Sequence, residues 1–246
     1  MRSYHYIEET DSTNLELWRM IKRGPLPPEG SIVRAGNQTR GRGQAETHWE
    51  SEANKNLTFS ILLMPAFLSP SKQFILNKTV ALGIRDALAS LCKQFPFFIK
   101  WPNDIYADKG KIAGTLIENR ISGRNYELCV AGIGININQT TFPEEIPSAV
   151  SLTHLTGKIH DLNACMKVVE EHLMKRYTQL KQGNEATIDH EYLEHLLGYQ
   201  QLIRFSTDQE TFTATVSGVS EYGQLLLTLS DGTQQAFGMK EINMEL

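Results

Sequence analysis

Between residues 97 and 135, short apolar segments follow one another with connections of only a few residues, and that spacing restricts the fold more than any other feature of the chain. Phe97 to Trp101, Ile105 to Ala107, Lys111 to Asn119 and Tyr126 to Ile135 carry strand patterning. Turn signals separate them, Asp-Lys-Gly at 108 to 110 and Ser-Gly-Arg-Asn at 122 to 125. Parallel neighbours need a crossover of a dozen or more residues, so the spacing predicts antiparallel strands in one sheet.

Helical periodicity brackets this run. A buried strand over Asn56 to Met64 precedes an amphipathic helix from about Ser71 to Lys93, in which Val80, Ile84, Leu88 and Leu91 recur on one face. Further helices are predicted over Leu162 to Lys181 and Ile188 to Leu197. Near the start, Thr13 with Glu16 reads as a capping box for a helix over Asn14 to Arg23, stopped by Gly24. A short strand, Ser31 to Ala35, then enters a polar segment, Gly36 to Lys55, too long for an ordinary turn; such loops inside compact domains usually carry function. After Gly198 the period changes to short strands at Leu202 to Phe205, Thr211 to Val219, Leu225 to Leu229 and Gln234 to Phe237. The chain is therefore predicted to be α+β, a mixed sheet flanked by helices over residues 1 to 197 and a small barrel-like β unit over 198 to 246.

Composition excludes several function classes. At 246 residues with 41% hydrophobic and 21% charged side chains, the chain can bury a real core. A net charge of −4 leaves no global basic field for nonspecific nucleic-acid binding, so any anion site must be local. Cys92, Cys129 and Cys165 are too widely spaced for a zinc or redox pair and read as buried small hydrophobes of a reducing compartment. No apolar leader opens the chain and no run of roughly 18 apolar residues occurs, so a cytoplasmic protein without membrane contact is expected.

Common catalytic signatures are missing. The sequence has no P-loop, no Gly-x-Ser-x-Gly elbow, and only Gly132-Ile-Gly134 of a dinucleotide fingerprint. His190 and His195 lie five apart, about 140° around a helix, which suits surface histidines better than a zinc pair.

Three segments can carry a site. In Gln38-Thr-Arg-Gly41-Arg42-Gly43-Gln44, glycines let backbone amides approach an anion and Arg42 offers a planar donor fork, although the same residues also make a flexible turn. In Lys100-Trp-Pro-Asn103-Asp104, the hairpin turn that follows returns Lys111 to within a few ångströms of Asp104; a surface salt bridge explains the charges but not the stiff Trp-Pro-Asn-Asp or Gly114. In Gly132-Ile-Gly134-Ile-Asn136, glycine inside a strand marks either a ligand's approach or tight packing against a helix.

Together with Asp11-Ser-Thr-Asn14, Trp49 and Lys111-Ile-Ala-Gly114 through Glu118, these segments resemble, in order and spacing, the motif set of the biotin protein ligases from residue 11 to about 138. The resemblance implies a catalytic domain like that of class II aminoacyl-tRNA synthetases, followed by an SH3-like C-terminal barrel. It implies an enzyme that converts biotin, with ATP and Mg²⁺, to biotinyl-5′-AMP and transfers biotin to a lysine of a biotin carboxyl carrier protein domain. By the same resemblance, biotin is held by Ser12, Thr13, Asn14, Gln38, Gly41, Arg42, Gly43, Gln44, Lys111, Gly114, Gly132 and Gly134. ATP is held by Arg42, Trp49, Asn103, Lys111 and Asn136, and Asp104 holds the metal or orients the acceptor amine; Lys111, Arg42 and Asp104 are the catalytic candidates.

The charges suit that chemistry. A carboxylate attacking an α-phosphate meets a repulsion of roughly 4 kcal/mol at about 4 Å and an effective dielectric of 20, which Arg42, Lys111 and loop amides can offset. An acceptor lysine with a reference pKa near 10.4 is only about one part in a thousand neutral at pH 7.4, so its proton must be removed as it reacts. Relatives often continue the loop with a further arginine and glycine, where this chain has Gln44, Ala45 and Glu46. One cation is lost and one anion gained, so weaker retention of the adenylate is expected. Only ten residues precede the Asp-Ser-Thr-Asn motif, and the repressor helix-turn-helix of some relatives, with its DNA binding, is not expected. A homodimer stays open. The rival functions are attachment of lipoate or octanoate, and a biotin-binding sensor without turnover.

Overall fold

The computed structural model describes residues 2–44, 47–108, 110–123, 125–144 and 148–245, with Asn125 described by its backbone. Ala45, Glu46, Lys109 and Arg124, named above in the loop and turns, lie outside the described residues. The chain order is β1 (Tyr4–Thr10), α1 (Thr13–Arg23), β2 (Ile32–Gln38), β3 (Leu57–Leu63), α2 (Gln73–Leu91), β4 (Phe97–Lys100), β5 (Asp104–Ala107), β6 (Gly110–Ser122) and β7 (Asn125–Ile135). It continues through α3 (Leu152–Thr156), α4 (Leu162–Lys181), α5 (Glu185–Glu194) and five short strands: β8 (Leu202–Ser206), β9 (Thr211–Val219), β10 (Leu225–Thr228), β11 (Gln234–Phe237) and β12 (Asn243–Glu245).

The large sheet has the order β1-β2-β3-β7-β6-β5-β4. β4 to β7 are antiparallel neighbours, as their short connections require. β1 pairs parallel with β2, which its crossover through α1 permits. β3 is buried along its whole length because both faces are covered. Its odd positions, Leu57, Phe59, Ile61 and Leu63, pack with α2 and α4, whereas Leu62 joins Val33, Leu128 and Val130 against Leu17 and Ile21 of α1. Each fully buried Leu or Ile of this kind is worth about 1.5–3 kcal/mol.

Several elements depart from the sequence pattern. The Thr13/Glu16 box does not form: Ser12 is the N-cap, the Thr13 amide and hydroxyl turn to Gln38, and Glu16 pairs with Arg19. β2 runs on to Gln38 because Asn37 and Gln38 keep pairing with Glu9 and Thr10 of β1, shortening the expected loop. β1, α3 and β12 carried no clear periodicity; β1, YHYIEET, sits at a sheet edge with mostly exposed side chains, so its alternation is blurred. α5 starts three residues earlier than expected and ends at Glu194.

The C-terminal strands make an antiparallel sheet of order β11-β10-β9-β8-β12. Among the described residues no pairing joins β11 to β12, and these two edge strands have only four and three residues. Phe205, Val216 and Leu225 of this sheet, with Ile242 just before β12, belong to the same apolar cluster as α2 and α5. The three cysteines are free and buried, and burial pushes the Cys129 thiol far up. No helix of the described residues is long and apolar enough to cross a membrane.

Candidate functional site

On the α1 face of the large sheet, strand alternation brings Ser60 of β3, Gly132 and Gly134 of β7, and Gly114, Leu116 and Glu118 of β6 to one side. Over this floor opens a cavity of about 270 Å³, near the lower end for small-molecule sites. Its walls include Ser12, Thr13, Asn14, Gln38, Arg42, Gly43, Gln44, Trp49, Asn103, Asp104, Lys111, Gly114, Gly132 and Gly134. Segments separated by more than a hundred residues thus converge. Gly41 and Asn136 are the two sequence candidates outside this lining. The Gly41 carbonyl accepts from the Trp49 amide, and the Asn136 amide donates to the Val150 carbonyl at 3.1 Å behind Lys111.

The α1 end of the cavity is a polar cradle. Gln38 Oε1 accepts from the Thr13 amide (2.8 Å) and hydroxyl (3.1 Å). Ser60 Oγ lies 2.7 Å from Thr13 Oγ1 and 2.6 Å from Asn14 Oδ1. Asn14 Nδ2 donates to Glu118 Oε2 at 2.9 Å. Gly132 makes this possible, since a Cβ there would stand 2.3 Å from Asn14 Oδ1. Behind the cradle, two N–H groups of Arg19 grip Asp11 and hold its carboxyl down at about 2, helped by the Ser12 amide.

At the other end stand the charges. Lys111 Nζ is 2.7 Å from Asp104 Oδ2, both side chains about 30% and 28% exposed. Gly114 leaves room for the pair: a Cβ there would lie 3.0 Å from Asp104 Oδ1 and 3.1 Å from Lys111 Cε. Arg42 Nη1 pairs with Glu118 Oε1 at 2.9 Å, and Glu118 also accepts from Trp18 Nε1. The polar segment around Arg42 folds back as a small hairpin, with Gly43 donating to the Thr47 carbonyl at 2.7 Å and Arg42 bridging His48. This turn carries the Trp49 indole over Gly134, 5.7 Å from Lys111 Nζ. Trp49 Nε1 is buried with no hydrogen-bond partner among the described residues. Asn103 Nδ2 donates to the carbonyl and hydroxyl of Thr115, so its side chain braces the turn. Beside it, burial lowers the Lys100 ammonium, with Asp104 opposing and Lys111 adding to the effect.

Glu118, Ser60 and Trp18 were not assigned roles from sequence. A buried serine, beside Thr58 in the otherwise apolar LTFSILL strand, was the available signal for Ser60. Glu118 closed a recognised segment, but only the three-dimensional pairing of β6 with α1 shows that it joins Arg42 to Asn14.

Among the described residues no group of three or more His, Cys, Asp or Glu could cage a metal ion. Asp104 is the single carboxylate of the described lining. That donor set fits a magnesium ion carried in on phosphate oxygens with one protein carboxylate, the usual arrangement for that ion. Two cations, a polar cradle and a glycine floor together suit a ligand with an acid tail, a flat polar head and a phosphate.

A family model described as the biotin/lipoate A/B protein ligase family matches residues 6–136. The bifunctional ligase/repressor BirA of Bacillus subtilis is 30% identical over 216 residues, covering 85% of this chain and 65% of that protein. The chain therefore spans about two thirds of that relative, at 65% of its length. The biotin--[acetyl-CoA-carboxylase] ligase of Mycobacterium tuberculosis is 26% identical over 236 residues, covering 94% of this chain and 85% of that protein. Among solved structures, the biotin protein ligase from Aquifex aeolicus in complex with biotin and ATP superposes with a TM-score of 0.80 at 26% identity, covering 100% of this chain and 99% of that one.

Proposed function

The chain belongs to the biotin/lipoate A/B protein ligase family, and from that premise we propose that it is an ATP-dependent ligase that activates biotin and attaches it to a lysine of a biotin carboxyl carrier domain. The observation that carries the reading is the sharing of one cavity by Arg42, Lys111 and the cradle of Ser12, Thr13, Asn14 and Gln38.

In the first step the biotin carboxylate attacks the α-phosphorus of ATP, forming an acyl–phosphate bond as pyrophosphate leaves. Arg42 and Lys111 offset the repulsion between the two anions. Asp104 keeps the Lys111 ammonium aimed into the cavity. Magnesium, when bound with the nucleotide, would be held by Asp104 and would neutralise phosphate charge. The cradle takes the ureido ring, whose donors and acceptor match its amide and hydroxyl groups, while Gly114, Gly132 and Gly134 let the Lys111–Asp104 pair, Asn14 and Trp49 sit low on the sheet around the bicycle and tail. The Trp49 indole is a stacking face for adenine, flanked by Asn103; Asn136 would reach the base only by leaving the Val150 carbonyl. In the second step the acceptor amine attacks the acyl carbon, AMP departs and an amide forms. Asp104, freed from Lys111 or sharing it, orients that amine as its proton is lost. We assign this chemistry to residues 1 to 197 and treat 198 to 246 as a C-terminal domain.

Incubation with biotin, Mg-ATP and a carrier domain, followed by mass spectrometry of the acceptor, tests the reading. Biotin on a single lysine, with pyrophosphate released, is expected. Labelling with lipoate or octanoate instead, or biotin binding without transfer, would replace it.

A further inference from the structure

Tyr192 of α5 is wholly buried, yet it carries a hydroxyl that must find a partner. It donates to the Pro102 carbonyl at 2.8 Å, inside the turn between β4 and β5 that presents Asn103 and Asp104 to the cavity. Burial pushes the phenol far up, so the hydroxyl remains a donor at neutral pH. The ring itself is fixed: Lys78, 4% exposed, lies 5.4 Å from it and 5.5 Å from the Phe74 ring, and is anchored to Asp189 at 2.8 Å.

The same turn has a second tether. Trp101 Nε1 donates to the Gly223 carbonyl at 2.9 Å, across from the second sheet. Gly223 lies flat against Phe74, where a Cβ would approach to 2.3 Å, and its φ of +87° suits only glycine there. Both tethers therefore end on one aromatic group built by α2 and α5.

We propose that Tyr192 and the Gly223 carbonyl are positioning groups that clamp the Trp101–Asp104 turn, so that Asp104 holds Lys111 in its working place. The second sheet thereby sets the geometry of a pair it does not touch. This rests on the function proposed above, in which Lys111 faces the reacting anions. Misplacement of such a group by about 1 Å can cost a hundredfold in rate, whereas loss of one neutral hydrogen bond costs about three- to tenfold.

The experiment measures biotin-dependent pyrophosphate release by the full chain, its Tyr192→Phe and Trp101→Phe variants, and both again in a Lys111→Met background. No pyrophosphate release from the unaltered protein would overturn the ligase reading itself. Given that activity, Tyr192→Phe is expected to lower kcat about three- to tenfold while KM for biotin stays within about twofold. In the Lys111→Met background the same substitution is expected to have no further effect on the residual rate. Equal losses in the two backgrounds, or an unchanged kcat, would overturn the clamp and leave Tyr192 as packing alone. If Tyr192→Phe lost cooperative unfolding, Trp101→Phe would carry the same comparison with the same two outcomes.

Discussion

Replacing Lys111 by methionine separates the work of its charge from the work of its stem. The side chain keeps most of its length and its packing on Gly114 and Trp49, but Asp104 loses its partner. An exposed ion pair is worth at most about 1 kcal/mol, and these two side chains are about 30% and 28% exposed, so the melting temperature is expected to fall by only a few degrees. The kinetic loss is expected to be larger. A cation about 4 Å from a reacting anion is worth roughly 4 kcal/mol at a dielectric of 20, and partial exposure reduces that to about 1.4–4 kcal/mol, a ten- to thousandfold drop. Single-turnover formation of the adenylate, read by pyrophosphate release beside a thermal melt, measures both quantities. Lys111→Arg is expected to restore part of the rate only, because the space over Gly114 is fitted to a slender ammonium. Turnover unchanged in Lys111→Met, or lost in proportion to unfolding, would remove the ammonium from the mechanism.

Gly132→Ala is expected to weaken biotin binding by about tenfold or more in calorimetry, since its Cβ would displace the Asn14 amide and overpacking costs about 1–3 kcal/mol; an unchanged Kd would dissociate Asn14 from the biotin site. Gln44→Arg is expected to slow release of the adenylate, because a further cation would join the loop edge of the cavity; equal off-rates would show that the loop does not retain it. Asp11→Asn tests the carboxyl held at about 2. A depressed acid stabilises the fold above its unfolded value near 4 and loses that contribution as pH falls through about 2, so the variant is expected to be less stable at pH 7 by about 1 kcal/mol after solvent screening of a side chain 30% exposed. In denaturant melts the two proteins are expected to converge as pH approaches 2; a gap that persists would place the effect outside ionisation.

The sheet was legible where connections were short. The turns around 108–110 and 122–125 determined the pairing of β5, β6 and β7, and the apolar run of β3 implied burial on both faces. What escaped was set by distant partners. β1 is a strand because β2 lies beside it, in a stretch whose own pattern is half polar. Thr13 looked like a helix cap because Glu16 follows three residues later, but Gln38 reaches its amide first. The Asp104–Lys111 pair followed from a hairpin, a local feature, whereas the Arg42–Glu118 pair joins a loop to a strand 76 positions away and carries no short-range signature.

The central position of β3, between β2 and β7, has a consequence for biosynthesis. Its β2 neighbour precedes it, but its other edge waits for Cys129 to Ile135, some seventy residues downstream. During translation a strongly apolar ribbon therefore emerges with one side unmatched, and Ser60 cannot meet Gly132 until the β6–β7 hairpin has left the ribosome. Slow elongation through residues 64–125 would prolong that interval, so the quantity most sensitive to codon choice or chaperone supply is the yield of correctly joined sheet, well ahead of any change in the finished protein.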